Sequence, residues 1–344
     1  MSNNVVIALD AMGGDDAPII VIDGANIALK KLPNVSFKIF GDANVISPLL
    51  KAYPKLLAVS EIVHTTHKIL NEDKPAEALR NGRESSMRLA INSVKDLKCH
   101  AVVSAGNTGA LMAMSKFVLN TIPGISRPAI TTMVPTRKQP CVLLDLGANS
   151  ECSKEQLIQF AFMGDAFAKT MLNIDKPRIG LLNIGSEALK GNSLVQETSE
   201  LLTSYPHINY VGFAEGNDIF QGNFDVIVTD GFTGNIALKV LEGTASFIKY
   251  KILNIFTNSI FSFLPKIGFI FLYLFSFWKI NRIKNEIDPR NYNGAMLIGL
   301  NGISVKSHGG ADKKSFASAI NVAYQLILGD VNKKIQDELQ ENKK

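Results

Sequence analysis

Six segments of this 344-residue chain set glycine beside Asn, Asp, Ser or Thr immediately after a short apolar or β-branched run. They are residues 10–15 (DAMGGD), 104–109 (SAGNTG), 145–149 (DLGAN), 183–186 (NIGS), 215–217 (EGN) and 229–235 (TDGFTGN). Glycine lets backbone N–H groups approach an anion at a helix N-terminus, and turns at the carboxyl ends of parallel strands border the ligand crevice of open α/β sheets. The chemistry they suit is capture of phosphate or carboxylate. A single turn of this kind is equally what any strand-to-helix connection needs, so the weight lies in their number. The candidate cradle residues are Gly13, Gly14, Ser104, Gly106, Asn107, Thr108, Asn183, Asn192, Gly231, Thr233 and Asn235. Lys190 would add positive charge, or is a solvated surface lysine.

Other chemistries fail on spacing. GxxxxGK[ST], GxGxxG and GxSxG are absent, which argues against a P-loop, the usual dinucleotide fingerprint and an acyl-enzyme serine elbow. His64 and His67 stand three apart beside an expected strand, a spacing that points them to opposite faces and not at one metal. Cys99, Cys141 and Cys152 form no CxxC pair and suit neither a zinc knuckle nor a disulfide framework. The opening residues lack a basic n-region and a long apolar run, so the expectation is a cytoplasmic protein without a bound metal. His308, beside Lys306 in VKSHG, could act as acid or base, or could simply hydrogen-bond its loop together. Asp10 and Asp230 suit loop orientation better than phosphate contact, because a carboxylate repels an anion unless a cation intervenes.

The elements that must position these residues alternate. Short β-branched runs at 5–9, 36–40, 61–64, 101–104, 129–134, 141–144, 178–182, 210–213 and 225–228 predict strands. Helical patterns cover 19–31, 75–97, 109–119, 153–172, 193–204, 234–250 and 315–328, and the charged end from 333 is expected to fray. Such alternation predicts an α/β fold of three α/β/α layers around a mainly parallel sheet. The core is expected to comprise 1–245 and 286–330, with 246–285 as a helical hairpin and 331–344 as a charged tail.

Formal charge is +5, yet residues 246–285 hold six basic groups and no acidic one, leaving 30 basic against 31 acidic elsewhere. The same 40 residues contain 11 of the 27 aromatic side chains. Basic and aromatic residues together point to a membrane surface and not to nucleic acid. The apolar run 267–278 would reach about 18 Å as a helix, short of a hydrocarbon core of about 30 Å. Pro265 divides this stretch into two apolar or amphipathic helices that could lie among headgroups, pack on the domain or a second subunit, or form a re-entrant pair.

The ordered set ALDAMGGD (8–15), KPAEALR (74–80), SAGNTGA (104–110), LDLGAN (144–149), GLLNIG (180–185), KGN (190–192), TDGFTGN (229–235) and KSHG (306–309) closely resembles the PlsX phosphate acyltransferases of bacterial phospholipid synthesis. The resemblance extends from residue 5 to about 325. It implies a fold like isocitrate and isopropylmalate dehydrogenases and phosphotransacetylase, and a homodimer. It also implies transfer of a long fatty acyl group from acyl carrier protein to inorganic phosphate, without a cofactor. The acyl phosphate would feed a membrane glycerol-3-phosphate acyltransferase, which suggests peripheral membrane association. Asn293 stands where the family usually has glycine, and 309–312 (GGAD) varies after the His-Gly pair.

For such a reaction phosphate itself attacks the thioester, so no protein nucleophile is required. Lys190, His308 and Asn107 are the catalytic candidates; Lys306 joins the cradle and, like His308, could neutralise the leaving thiolate. Lys249, Lys251, Phe271, Phe275, Trp278, Lys279, Arg282 and Lys284 are candidates for contact with acidic carrier protein or anionic lipid. The rival readings are a phosphotransacetylase of short acyl-CoA, a decarboxylating dehydrogenase and a non-enzymatic membrane module.

Overall fold

The computed structural model describes residues 4–257, 290 and 293–341. In chain order they form β1 (Val5–Asp10), α1 (Ile19–Leu29), β2 (Val35–Gly41), α2 (Ala43–Lys51), α3 (Pro54–Leu57), β3 (Ser60–His64), α4 (Pro75–Asn81), α5 (Ser86–Lys95), β4 (Ala101–Ser104) and α6 (Thr108–Leu119). There follow β5 (Ala129–Val134), β6 (Cys141–Leu144), α7 (Lys154–Met171), β7 (Ile179–Leu182), α8 (Ser193–Leu202), β8 (Tyr210–Ala214), β9 (Val226–Val228) and α9 (Gly231–Thr257). The last elements are β10 (Ala295–Ile298), β11 (Ile303–Lys306), α10 (Lys313–Leu328) and α11 (Val331–Glu341).

All strands join one sheet in the order β3-β2-β1-β4-β11-β10-β5-β6-β9-β7-β8. Strand alternation sorts its side chains onto two faces. Ile7, Leu9, Val103, Val142 and Val228 enter one continuous core with α1, α7 and α10, whereas Ala8 and Val102 pack with α5 and α6 on the other face. Leu143 and Ile227 form a separate patch on that second face beneath Ala237, Leu238 and Leu241 of α9. Three layers result, as expected.

The sheet is parallel in two blocks. β3, β2, β1, β4 and β11 pair in parallel, as do β6, β9, β7 and β8. Between them β10 is antiparallel to both β11 and β5, and β5 is antiparallel to β6. The two blocks therefore run in opposite directions, and their carboxyl ends leave the sheet on opposite edges. This corrects the single crevice that the six turns suggested: 10–15 and 104–109 belong to one edge, and the turns after β6, β7, β8 and β9 belong to the other.

Each expected strand is present with ends moved by at most one residue, but the hairpin β10–β11 adds two short buried strands that the sequence pattern did not reveal. The expected helix 75–97 is two helices. Gly82 closes α4 with its N–H on Ala78 O, and a Cβ there would stand 2.5 Å from Ile69 Cδ1, while Ser85 caps α5 by accepting from Arg88 N. The expected frayed tail is another correction: Val331, Ile335 and Leu339, one helical turn apart, bury themselves in α11, which packs on α7. Helix α9 continues through 245/246 to Thr257. Phe271, Phe275, Trp278, Lys279, Arg282 and Lys284 lie outside the described residues.

Candidate active site

The carboxyl ends of β1, β4 and β11 form a row in register, with Asp10 opposite Ser104 and Ser104 opposite Lys306. All three side chains are buried. Asp10 accepts hydrogen bonds from Ser86 Oγ and Ser104 Oγ, each at 2.6 Å, and a longer one of 3.4 Å from Met12 N. Ser104 Oγ in turn accepts from Gly106 N at 3.0 Å. Burial pushes the Asp10 carboxyl above its ordinary value, against the opposing pull of both hydroxyls, the Met12 N–H and the Lys306 charge. Lys306 Nζ donates to Ala105 O at 3.1 Å and to Ser307 O. Burial lowers its pKa to about 8, although Asp10 and Asp15 work the other way.

The loops over this row fit closely. A Cβ on Gly13 would stand 2.5 Å from Asp10 Oδ2 and 2.7 Å from Gly106 N, so glycine is what lets the 10–15 turn lie against the 104–109 turn. Gly14 has φ +109°, in the left-handed region that glycine tolerates. Asp15 N donates to Gly309 O at 3.1 Å, joining the first turn to the loop of His308. Asn107 caps α6, its Oδ1 accepting from Ala110 N at 3.0 Å, while its Nδ2 reaches Leu70 O, Asn71 O and Asp73 O at 3.3, 2.9 and 2.9 Å. That side chain is committed to holding two loops together. Thr108 opens the helix, whose first-turn N–H groups lack intrahelical acceptors.

His308 is exposed, and its Nδ1 accepts from Gly310 N at 3.2 Å. A neutral ring in this arrangement carries its proton on Nε2. Asn293 braces the same loop: its Nδ2 donates to Ser307 Oγ at 2.8 Å and Ser315 O at 2.9 Å, and its Oδ1 accepts from His308 N at 3.2 Å. The departure from glycine at this position thus supplies three loop contacts.

The remaining sequence candidates form a second group on the opposite edge. Asp145, wholly buried, accepts from Ile130 N, Gly147 N, Ala148 N, Asn149 N and Asn149 Nδ2 at 2.8 to 3.2 Å. Gly231 N donates to Asn149 O at 2.7 Å, and Asp230 caps the start of α9 by accepting from Thr233 N and Thr233 Oγ1, each at 2.8 Å. Asn235 lies over Gly147. Asn183 Nδ2 donates to Gly185 O and Lys190 O, both at 3.1 Å, and Asn192 caps α8 by accepting from Val195 N at 2.9 Å. Lys190 is exposed, as is Lys251, whose Nζ stands 5.5 Å from the Phe247 ring centre.

Of the sequence candidates, Gly13, Gly14, Ser104, Gly106, Asn107, Thr108, Lys306 and His308 fall together at the ends of β1, β4 and β11, a neighbourhood that the structure adds because β11 itself was not expected. The sequence pattern missed Ser86, which was hidden inside a supposed continuous helix. The Gly82 break and the Ser85-Ser86 pair were the available signal.

The fold is that of the phosphotransacetylases. Similar solved structures include a phosphotransacetylase from Streptococcus pyogenes (TM-score 0.62, 16% identity, 95% of each chain) and the EutD phosphotransacetylase from Staphylococcus aureus (TM-score 0.60, 16% identity, 94% of each chain). The family described as fatty acid synthesis protein matches residues 5–334. Relatives named phosphate acyltransferase include those of Rhodospirillum centenum, 52% identical over 98% of this chain and 94% of its own, and Rhodospirillum rubrum, 48% identical over 98% and 95%. The Wolbachia pipientis relative of that name is 47% identical over 97% and 96%. The chain belongs to this family of phosphate acyltransferases.

Proposed function

We propose that the chain transfers a long-chain fatty acyl group from acyl carrier protein to inorganic phosphate, and that the β1–β4–β11 edge is where it does so. The observation that carries the placement is the buried Lys306 beside the Ser104–Asp10 pair, at the start of α6. A lysine ammonium has three N–H bonds, and two are used on Ala105 O and Ser307 O, which leaves one for a phosphate oxygen. The first turn of α6 supplies the neutral part of the cradle, and Gly106, its N–H held by Ser104 Oγ, fixes the loop that leads into it.

A phosphate oxygen attacks the thioester carbonyl carbon, a C–O bond forms and the C–S bond breaks. The products are acyl phosphate and the carrier thiol, whose sulfur takes the proton given up by the attacking hydrogenphosphate, passed through water, while the His308 Nε2–H can steady the departing sulfur by a hydrogen bond. Ser104 is wholly buried, donates its hydroxyl to Asp10 and accepts from Gly106, so its oxygen has no open approach to an acyl group, which supports direct attack by phosphate. Asn107 acts by positioning. In this reading Asn183, Asn192, Gly231, Thr233 and Asn235 shape the opposite edge, and Lys190 serves there as surface charge.

Acidic carrier protein, a second copy of the chain and the membrane surface are the partners we assign, with Lys249, Lys251 and the basic, aromatic 246–285 stretch as the contact for carrier or lipid. The acyl phosphate then passes to a membrane acyltransferase, with the enzyme in the cytoplasm and peripherally attached. No described helix is long and apolar enough to cross a membrane.

The test is release of carrier thiol from long-chain acyl carrier protein with and without phosphate, with hydroxylamine trapping of acyl phosphate. Phosphate-dependent trapping without ATP, metal or NAD supports the reading. Turnover of short acyl-CoA in place of the carrier would favour the phosphotransacetylase alternative that the shared fold keeps in view.

A further inference from the structure

The transfer step uses Lys306 and the helix amides, yet the most enclosed ionisable group of the site is the Asp10 carboxyl, to which that step gives no role. We infer that Asp10 is a positioning residue that holds Lys306 in its cationic form and keeps the Ser104 hydroxyl turned inward, so that phosphate binds to charge and is the only nucleophile offered to the acyl group. The inference rests on the acyl-transfer reading for its consequence, though not for its geometry.

The argument starts from burial. An unpaired carboxylate with 1% exposure is costly, and here it is compensated from three directions: Ser86 at the first turn of α5, Ser104 on β4, and the Lys306 charge on β11. Two hydroxyl donors at 2.6 Å fit an anionic acceptor. Lys306 is in the reverse position: on β11, one strand beyond Ser104 in the same register row as Asp10, its pKa is lowered by burial to about 8, and the Asp10 and Asp15 charges oppose that fall. The other charged or titratable neighbour on that loop is His308, whose Nδ1 is turned to Gly310 N. Ser104 completes the link, because the hydroxyl oriented by Asp10 is the acceptor that fixes Gly106 N. Charge, hydroxyl and amide are thus set by one group that a capping role alone would not require to be charged.

The experiment compares the full-length wild-type chain, Asp10→Asn, Ser86→Ala and Lys306→Arg. Lysine-selective 15N labelling reads the Lys306 Nζ titration directly, with the signal identified by its loss in Lys306→Arg. Steady-state assays read kcat/KM for inorganic phosphate from pH 6 to 9.5. In Asp10→Asn the Lys306 titration and the alkaline limb of kcat/KM should both move to lower pH by roughly one to three units, the shift expected on losing a close opposite charge. Ser86→Ala should move them the same way by less, and it keeps the test open if Asp10→Asn fails to fold. In the Lys306→Arg background, Asp10→Asn should leave no limb to shift. Unmoved titration and pH profile in folded Asp10→Asn, whatever happens to kcat, would reduce Asp10 to a structural cap and overturn the inference. A shifted titration in a protein that makes no acyl phosphate would instead uphold the charge coupling and overturn the transfer reading.

Discussion

A buried carboxyl at the α7–α11 contact makes stability depend on pH in an unusual direction. Asp165 on α7 and Glu338 on α11 both approach Lys169, whose Nζ is 2.7 Å from Asp165 Oδ2 and also bonds Glu338 Oε1. Asp165 and Glu338 are buried, while Lys334 on α11 lies to the side, with Nζ 3.3 Å from Thr170 Oγ1. Two carboxylates facing one lysine leave an excess negative charge in a desolvated place. Burial, with the Glu338 charge adding and Lys169 opposing, raises Asp165 from its ordinary 3.8 to about 7. Because the folded-state value is the higher one, the folded chain binds more protons, and the stability associated with this site is fully present below about pH 4 and is lost as pH rises through 7. A displacement of roughly three units corresponds to about 4 kcal/mol in total, of which about 2–3 kcal/mol falls between pH 5 and 8.5. Asp165→Asn keeps the shape and removes the titration. Denaturant unfolding of both proteins at pH 5, 7 and 8.5, with amide exchange over 331–341, should show the variant gaining on the wild type by that amount as pH rises, with the difference concentrated in α11. Parallel stability profiles for the two proteins would refute the reasoning.

Further outcomes concern the first edge. Gly13→Ala sets a methyl group against Asp10 Oδ2 and the Gly106 backbone, so it should destabilise by about 1–3 kcal/mol and depress phosphate-dependent turnover more than tenfold, as read by melting and by hydroxylamine trapping. Lys306→Met, which keeps the stem and removes the charge, should raise KM for phosphate at least tenfold while leaving the circular dichroism spectrum intact. Intact-mass analysis of acid-quenched turnover mixtures should find no acylated protein, and Ser104→Ala should retain measurable activity. Asn107→Ala releases the 70–73 loop and the α6 cap together, and a loss of about 1–2 kcal/mol in stability is expected from denaturant unfolding.

The strands were legible because period-two burial writes itself into the sequence: Ile7 and Leu9 go to one core and Ala8 to the other. The family motifs made the fold and the activity readable as well. What composition and spacing do not carry is the direction of a strand, and here direction decides the site. LDLGAN and SAGNTGA look interchangeable as strand-end turns, yet three successive antiparallel pairings, β11 with β10, β10 with β5 and β5 with β6, send them to opposite edges. Residue type makes Asn183 and Asn192 neutral donors for phosphate, but it does not show that the Asn183 amide already donates to Gly185 O and Lys190 O or that Asn192 Oδ1 caps α8. The α11 helix was misjudged for a different reason. Its charged residues dominated a low hydropathy, while three apolar side chains at four-residue spacing were enough to bury one face against α7.

Opposed blocks also explain why the two groups of glycine turns differ in finish. On the β6–β9–β7 edge, five N–H donors converge on the single carboxylate of Asp145, and Asp230, Asn183 and Asn192 each close a turn or cap a helix. The donors named there are directed at protein acceptors, so these loops satisfy one another from the buried Asp145 out to the exposed Asn192. On the β1–β4–β11 edge the acceptor is likewise internal, but a lysine stands beside it with a proton in hand and a helix N-terminus opens above it. Among the described residues only that edge combines a buried cation, the N-terminus of α6 and an exposed imidazole. Anion chemistry belongs where positive potential is left over after the protein's own acceptors are served, and that criterion is why the proposed function puts phosphate beside the buried Lys306 and gives the exposed Lys190 a surface role.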